Sequence, residues 1–151
     1  MARVVAQASA RAGAPRDVVW QVLAEARRYH EWGSWQTTVL DEEGDPAPDG
    51  VGAVRRFTRR PVTSVERVEL FEPPERFGYE LLSGLPLRDY HAVVSLNHAD
   101  DGGTAIHWRS EFEPKLRGTG RFYKRFVTTV IGQVAKQIAA EADRRRGVAQ
   151  P

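Results

Sequence analysis

The chain has 151 residues, enough for one domain over residues 1–151 that buries roughly 70% of the surface its unfolded form would expose. Apolar residues make up 41% and charged residues 28%, the balance of a globular protein rather than of a disordered tail. With 22 bases against 20 acids the net charge is +2, and the lack of cysteine excludes disulfides, thiolate nucleophiles and cysteine-ligated metal clusters.

Met1 to Ala14 carries Arg3 and Arg11 with no apolar run between them, unlike a signal peptide, and no segment approaches the ~20 apolar residues of a membrane span. The expectation is a soluble, cytoplasmic protein. Basic runs stand at Arg55-Arg56, Arg59-Arg60 and Arg144-Arg145-Arg146. They lack the interleaved aromatics and strong overall excess of a nucleic-acid surface, so they read as solvated surface.

In chain order, Arg3 to Arg11 alternates as a first strand, with Val4, Ala6, Ala8 and Ala10 on one side. Gly13-Ala14-Pro15 breaks it, and Pro15 suits the first turn of a helix. Val18, Val19, Val22, Leu23 and Ala26 recur at helical spacing over residues 17–26, with Trp20 widening the apolar face. Residues 27–35 read as a second short helix stopped at Gly33, which would gather Tyr29, Trp32 and Trp35.

Two-residue alternation follows, cut by turn signals. Strands are expected over residues 36–42, 51–59, 62–71, 76–83, 87–98 and 104–113, the last pair joined through Asp100-Asp101-Gly102-Gly103. Short connections predict antiparallel neighbours. From Gly120 to Arg145 the period becomes helical again, with Phe122, Tyr123, Phe126, Val127, Val130, Val134, Ile138 and Ala142 forming one stripe. Gly132 sits within it, where close approach of a strand or ligand would account for it, neutral drift being the alternative. The order is strand, two helices, six strands, long helix: an α+β chain whose seven-stranded sheet must cover one face with the last helix.

The registers of the late strands are clear. Thr104, Ile106, Trp108, Ser110 and Phe112 share a face against Ala105, His107, Arg109, Glu111 and Glu113, and only the first set can face a helix without burying unpaired charge. Tyr90, Ala92, Val94 and Leu96 share a face one strand earlier, as do Phe77, Tyr79 and Leu81 before that. Over residues 51–58 both faces carry arginine, so either Arg55 or Arg56 can point inward, and Glu66 and Arg67 are ambiguous in the same way. The expected interior is rich in Trp and Tyr, whose polar tips want partners. One by one such aromatics fill cores; as a set on this topology they fit better around a cavity.

Ala-Pro-Arg-Asp-Val-Val-Trp at 14–20, the Tyr29–Trp32 segment, Glu72-Pro73-Pro74-Glu75-Arg76-Phe77, and Gly102-Gly103-Thr104 leading to Trp108 precede the long final helix. In this order and spacing the chain resembles the START-like helix-grip proteins, and among them the polyketide cyclase/dehydrase and lipid-transport (SRPBCC) family. The resemblance spans nearly the whole chain. It implies a helix-grip fold, with a curved seven-stranded antiparallel sheet wrapped around the C-terminal helix and two short helices after the first strand. It also implies a deep pocket between sheet and helix for a hydrophobic or amphipathic molecule, and it implies no single reaction.

The expected pocket draws Trp32 and Trp35 from the segment after the first helix. The strands would add Tyr79, Leu81, Tyr90, Val94, Ile106, Trp108, Ser110 and Phe112, and the last helix Tyr123, Val127 and Val130. Inward polar groups would be Tyr79, Tyr90, Thr104, Ser110, Trp108 and Tyr123, with Gln133 and Gln137 from the helix. None is a ready base near neutral pH.

His30, His91, His98 and His107 lack metal-ligand spacing, and only a cross-strand pairing of His91 with His107 would make a surface site, so no metal and no cofactor are expected. No nucleophile elbow, phosphate loop or dinucleotide fingerprint is present. No catalytic residue can be named. The leading expectation is a binder of a lipid, quinone or polyketide-like molecule. A polyketide cyclase/dehydrase acting on such a ligand is the alternative, and a protein- or RNA-interaction module using the charged outer face is the third. An inward carboxylate, histidine or arginine with a shifted pKa would favour the enzyme; a lining of aromatics and hydroxyls alone would favour the binder.

Overall fold

The computed structural model describes residues 3–149. Strand β1 (Val4–Ala12) leads through Pro15, which caps rather than starts the helix, into α1 (Arg16–Ala24). Helix α1 buries Val19, Trp20, Val22, Leu23 and Ala24. The second expected helix is split: a single 3₁₀ turn, Ala26–Arg28, precedes α2 (Tyr29–Trp32), which Gly33 ends, leaving Trp35 beyond it. Strands β2 (Thr37–Glu42), β3 (Val54–Arg59), β4 (Val62–Glu72), β5 (Arg76–Ser83), β6 (Leu87–His98) and β7 (Thr104–Pro114) follow, then α3 (Gly120–Ala149). Strand β3 starts three residues later than its alternation suggests, because Val51 pairs only with Asp45 in an isolated bridge.

All seven strands form one antiparallel sheet in the order β1-β7-β6-β5-β4-β3-β2. The chain meanders from β2 to β7, and β1 joins the far edge beside β7. Gly102, at a φ of 84°, supplies the left-handed residue of the β6–β7 turn. The expected registers hold: Ala92, Val94, Leu96, Ile106, Trp108 and Phe112 are buried on the concave face. The architecture is the helix-grip α+β arrangement.

Helix α3 lies against β1, β7 and α1. Its far end is tied down where the Ala14 backbone N–H donates to Asp143 Oδ1 at 2.8 Å. The buried line of α3 runs Val127, Ile131, Val134, Ala135, Ile138, Ala139 and Ala142. This corrects the expected stripe. Phe122 is 64% exposed and Phe126 and Val130 are each 38% exposed, because they sit roughly 100° to 180° of turn away from the centre of that line, Phe122 the farthest. No helix among the described residues is long and apolar enough to cross a membrane.

Candidate ligand-binding chamber

Because α3 rests on the β1–β7 flank, the opposite half of the concave face is not filled by it. An inner chamber of about 110 Å³ remains between β3, β4, β5, β6, β7 and α3. Beside it lies an outer groove of about 620 Å³, and the two share Trp35, Phe57, Ser64, Leu85, Phe126, Val130 and Val134 as walls. The inner volume suits a small ring and the groove a larger body.

Of the expected pocket residues, Trp35, Tyr79, Leu81, Tyr90, Trp108, Val127 and Val130 line the chamber. The others do not. Val94, Ile106 and Phe112 are fully buried in the solid part of the core, on the side that α3 covers. Ser110 is buried behind Tyr90, its Oγ 2.8 Å from the phenol oxygen, and Phe112 stacks on the same ring with centroids 5.7 Å apart. Trp32 stands behind Tyr29, 4.7 Å between ring centroids, and Tyr123 packs beside Phe122 and Phe126. Thr104, fully buried, donates to the Ala14 carbonyl at 2.8 Å and faces no cavity. Gln137 donates to Ser34 Oγ at 2.8 Å in the wall of the outer groove, which Gln133 also lines.

The hydroxyl side of the chamber is ordered by β5, β6 and β7 together. Trp108 Nε1 donates to Tyr79 Oη at 3.2 Å, and the Tyr79 and Tyr90 rings lie 6.1 Å apart. Burial pushes the Tyr90 phenol up to about 12 and Tyr79 well above the usual tyrosine value, so both remain neutral donors near pH 7.

The ambiguous early strands supply what the sequence left open. Arg55 points inward and is 2% exposed, while Arg56 faces out and pairs with Asp41. Glu66 also faces the chamber, and Arg67 lies outside against Glu80. Arg55 Nη2 donates to Glu66 Oε1 at 2.8 Å. Its guanidinium carbon lies 5.3 Å from the Phe57 ring, 4.8 Å from Phe77 and 5.8 Å from Tyr79, a cation–π setting. Burial raises the Glu66 pKa and the Arg55 charge opposes that rise. Burial, the largest single effect, works against the Arg55 charge too, but the charge and hydrogen bond of Glu66 together with Tyr29 and Tyr79 shift the guanidinium upward on balance.

Two signals in the sequence, weighed together, could have found this pair. Phe57 marks the inward face of β3, and Arg55 shares it two residues earlier. The tight Arg60-Pro61 turn then fixes the register that sets Arg55 opposite Glu66.

On the convex face His91 is opposite Glu80 and Glu111, and His107 is opposite Ser9 and Ser95, so the two histidines do not meet. Instead His91 Nδ1 lies 2.8 Å from Glu69 Oε2, and ligand-type atoms of Glu69, Glu80 and His91 fall within 4.8 Å of one another.

The family model described as polyketide cyclase/dehydrase and lipid transport matches residues 1–143. No curated protein matches the chain. Among solved structures, a START superfamily protein from Mycobacterium smegmatis aligns over 93% of this chain and 97% of its own, at 12% identity and a TM-score of 0.77. The ZhuI aromatase/cyclase from Streptomyces sp. R1128 aligns over 95% and 96%, at 19% identity and a TM-score of 0.75. The protein XoxI from Bacillus cereus aligns over 93% and 95%, at 16% identity and a TM-score of 0.74. At such identities the structural likeness speaks to the fold alone. The match of the family model along most of the sequence goes further: the chain belongs to the polyketide cyclase/dehydrase and lipid-transport family.

Proposed function

We propose that this domain captures a hydrophobic or amphipathic small molecule of lipid, quinone or polyketide type, seating one end in the inner chamber and the remainder in the outer groove. The observation that supports this reading is the adjacency of the two spaces, which share seven wall residues, beside a helix seated on the β1–β7 flank of the sheet. Aromatic and aliphatic walls supply the affinity, and the buried hydroxyls supply orientation. The outer face does not compete as a docking surface. Its charges are largely neutralised in place, with Arg3 and Arg109 on Glu111 and Arg67 on Glu80. That leaves little of the free positive charge a nucleic acid needs.

Native mass spectrometry of freshly purified protein, with titration of an environment-sensitive naphthalene dye, tests the reading. A co-purified small molecule, or saturable dye binding that the same molecule displaces, is the expected result. Absence of both would end it.

A second reading is favoured by one observation, the Arg55–Glu66 pair inside the chamber. A half-buried carboxylate with a raised pKa beside guanidinium N–H groups has the parts needed to take a proton alpha to a carbonyl and hold the enolate oxygen. Cyclase or dehydratase chemistry would require Glu66-dependent exchange of deuterium at the alpha carbon of a bound β-diketone. Exchange at the same rate in Glu66→Gln would remove this reading and leave capture intact.

A further inference from the structure

Arg55 is partnered on one nitrogen only. Nη2 donates to Glu66, whereas Nε and Nη1 are buried and have no hydrogen-bond partner. The rings of Phe57, Phe77 and Tyr79 around the guanidinium attract its charge but offer no oxygen. Donors buried without an acceptor are costly, and a ligand that brings the acceptor recovers that cost as affinity.

The charge balance narrows what the ligand can be. Glu66 already compensates the guanidinium at 2.8 Å. A bound carboxylate would add a second negative charge to a chamber holding a single cation, at a large desolvation penalty. An uncharged oxygen meets the free N–H groups without that penalty, and a carbonyl does so without bringing a proton that needs its own partner.

We infer that Arg55 is the specificity-determining residue of the chamber, selecting uncharged apolar ligands that present a carbonyl oxygen (ketone, quinone or ester) to its free N–H groups. The inference rests on the proposed capture of a small molecule and adds the class of head group. The neighbouring tyrosine hydroxyls each have a partner, Tyr79 accepting from Trp108 while keeping its own O–H to give and Tyr90 joined to Ser110. Among the chamber's lining residues, the buried polar atoms with no partner at all are therefore those of Arg55.

Three ring compounds of nearly equal shape test it on the wild-type protein: fluorene, fluorenone and fluorene carboxylic acid. Calorimetry should show fluorenone binding about tenfold or more tighter than fluorene, the size of a charge-assisted hydrogen bond, with the carboxylate weakest. The infrared carbonyl stretch of bound fluorenone should shift to lower frequency relative to fluorenone in hexane. In Arg55→Met/Glu66→Leu, which replaces the pair without stranding a charge, the preference and the shift should both vanish while fluorene still binds.

Equal binding of fluorene and fluorenone with no shift would overturn the carbonyl assignment and leave capture standing, the guanidinium then being a packing strut held by its aromatic neighbours. Tightest binding of the carboxylate would overturn it in favour of an anion. Failure of all three compounds, with no dye binding, would remove the capture reading and this inference with it.

Discussion

Arg55 and Glu66 face one another across β3 and β4 and meet at 2.8 Å on the concave side of the sheet, among aromatic rings. An ion pair in that position contributes less by its own attraction than by the damage that follows when one member is lost.

Single replacements should therefore be far worse than the double one. Arg55→Met or Glu66→Leu alone is expected to cost about 3–5 kcal/mol in urea unfolding, because each strands the opposite charge away from water. Arg55→Met/Glu66→Leu should unfold close to the wild type. A double variant as unstable as the sum of the singles would show that the two side chains act independently.

Val130 borders both the chamber and the groove and is partly exposed on α3, so a larger side chain there can fill space in both without disturbing the buried line of the helix. Val130→Trp should reduce dye affinity at least tenfold while leaving the thermal midpoint within a few degrees. Trp108→Ala is the complementary variant. It should also weaken dye binding, but Trp108 is buried and donates to Tyr79, so it is expected to cost about 3–5 kcal/mol of stability as well. Dye affinity unchanged in both variants would place the dye somewhere else.

Gly132 faces β1, and a Cβ added there would stand 3.6 Å from Ala8 Cβ, an ordinary contact. Close approach of the strand is thus real but does not require glycine. Gly132→Ala should stabilise the protein by about 1 kcal/mol through helix propensity, seen as a raised thermal midpoint. A drop would mean that α3 shifts closer to β1 than its present position.

The His91 imidazole beside Glu69 is raised above the ordinary histidine value, chiefly by their hydrogen bond. A folded-state pKa above the unfolded one gives a contribution that is complete below about 6.5 and lost as pH rises through the folded value. NMR titration of His91 should show the upward displacement, and Glu69→Gln should return it toward the ordinary value. An unmoved titration in that variant would assign the shift to Glu80 and Asp89 instead.

Antiparallel pairing of chain neighbours is legible from the short connections, and the inward faces of β5, β6 and β7 are legible because alternation there separates apolar from charged residues without conflict. Trp108, Tyr79 and Tyr90 could be assigned to the concave face from the pattern alone. Which part of that face stays open could not, since alternation gives the side of a strand and not the point where a helix leaves it. Ile106 and Phe112 share a face with Trp108 yet lie under α3 in the solid core. Arg55 stayed ambiguous because arginines occupy both faces of β3, and hydrophobicity alone does not recognise a charge kept inside by a partner one strand away. The apolar stripe of α3 is broader in the sequence than its buried line for a related reason. Phe122, Phe126 and Val130 are apolar as core residues are, but they border a groove.

Helix α3 is held along one flank, by β1, β7 and α1, while the chamber is bounded by the strands on the other side. On α3 the two roles overlap, since Val127, Ile131 and Val134 belong both to its buried line and to the chamber wall, but Leu81, Leu85 and Ser64 line the chamber without being fully buried core residues. Exchanging Leu81, Leu85 or Ser64 would reshape the lining while the helix seat and the backbone ladder stay as they are. Such a division lets one scaffold change its cargo over evolutionary time without refounding its architecture.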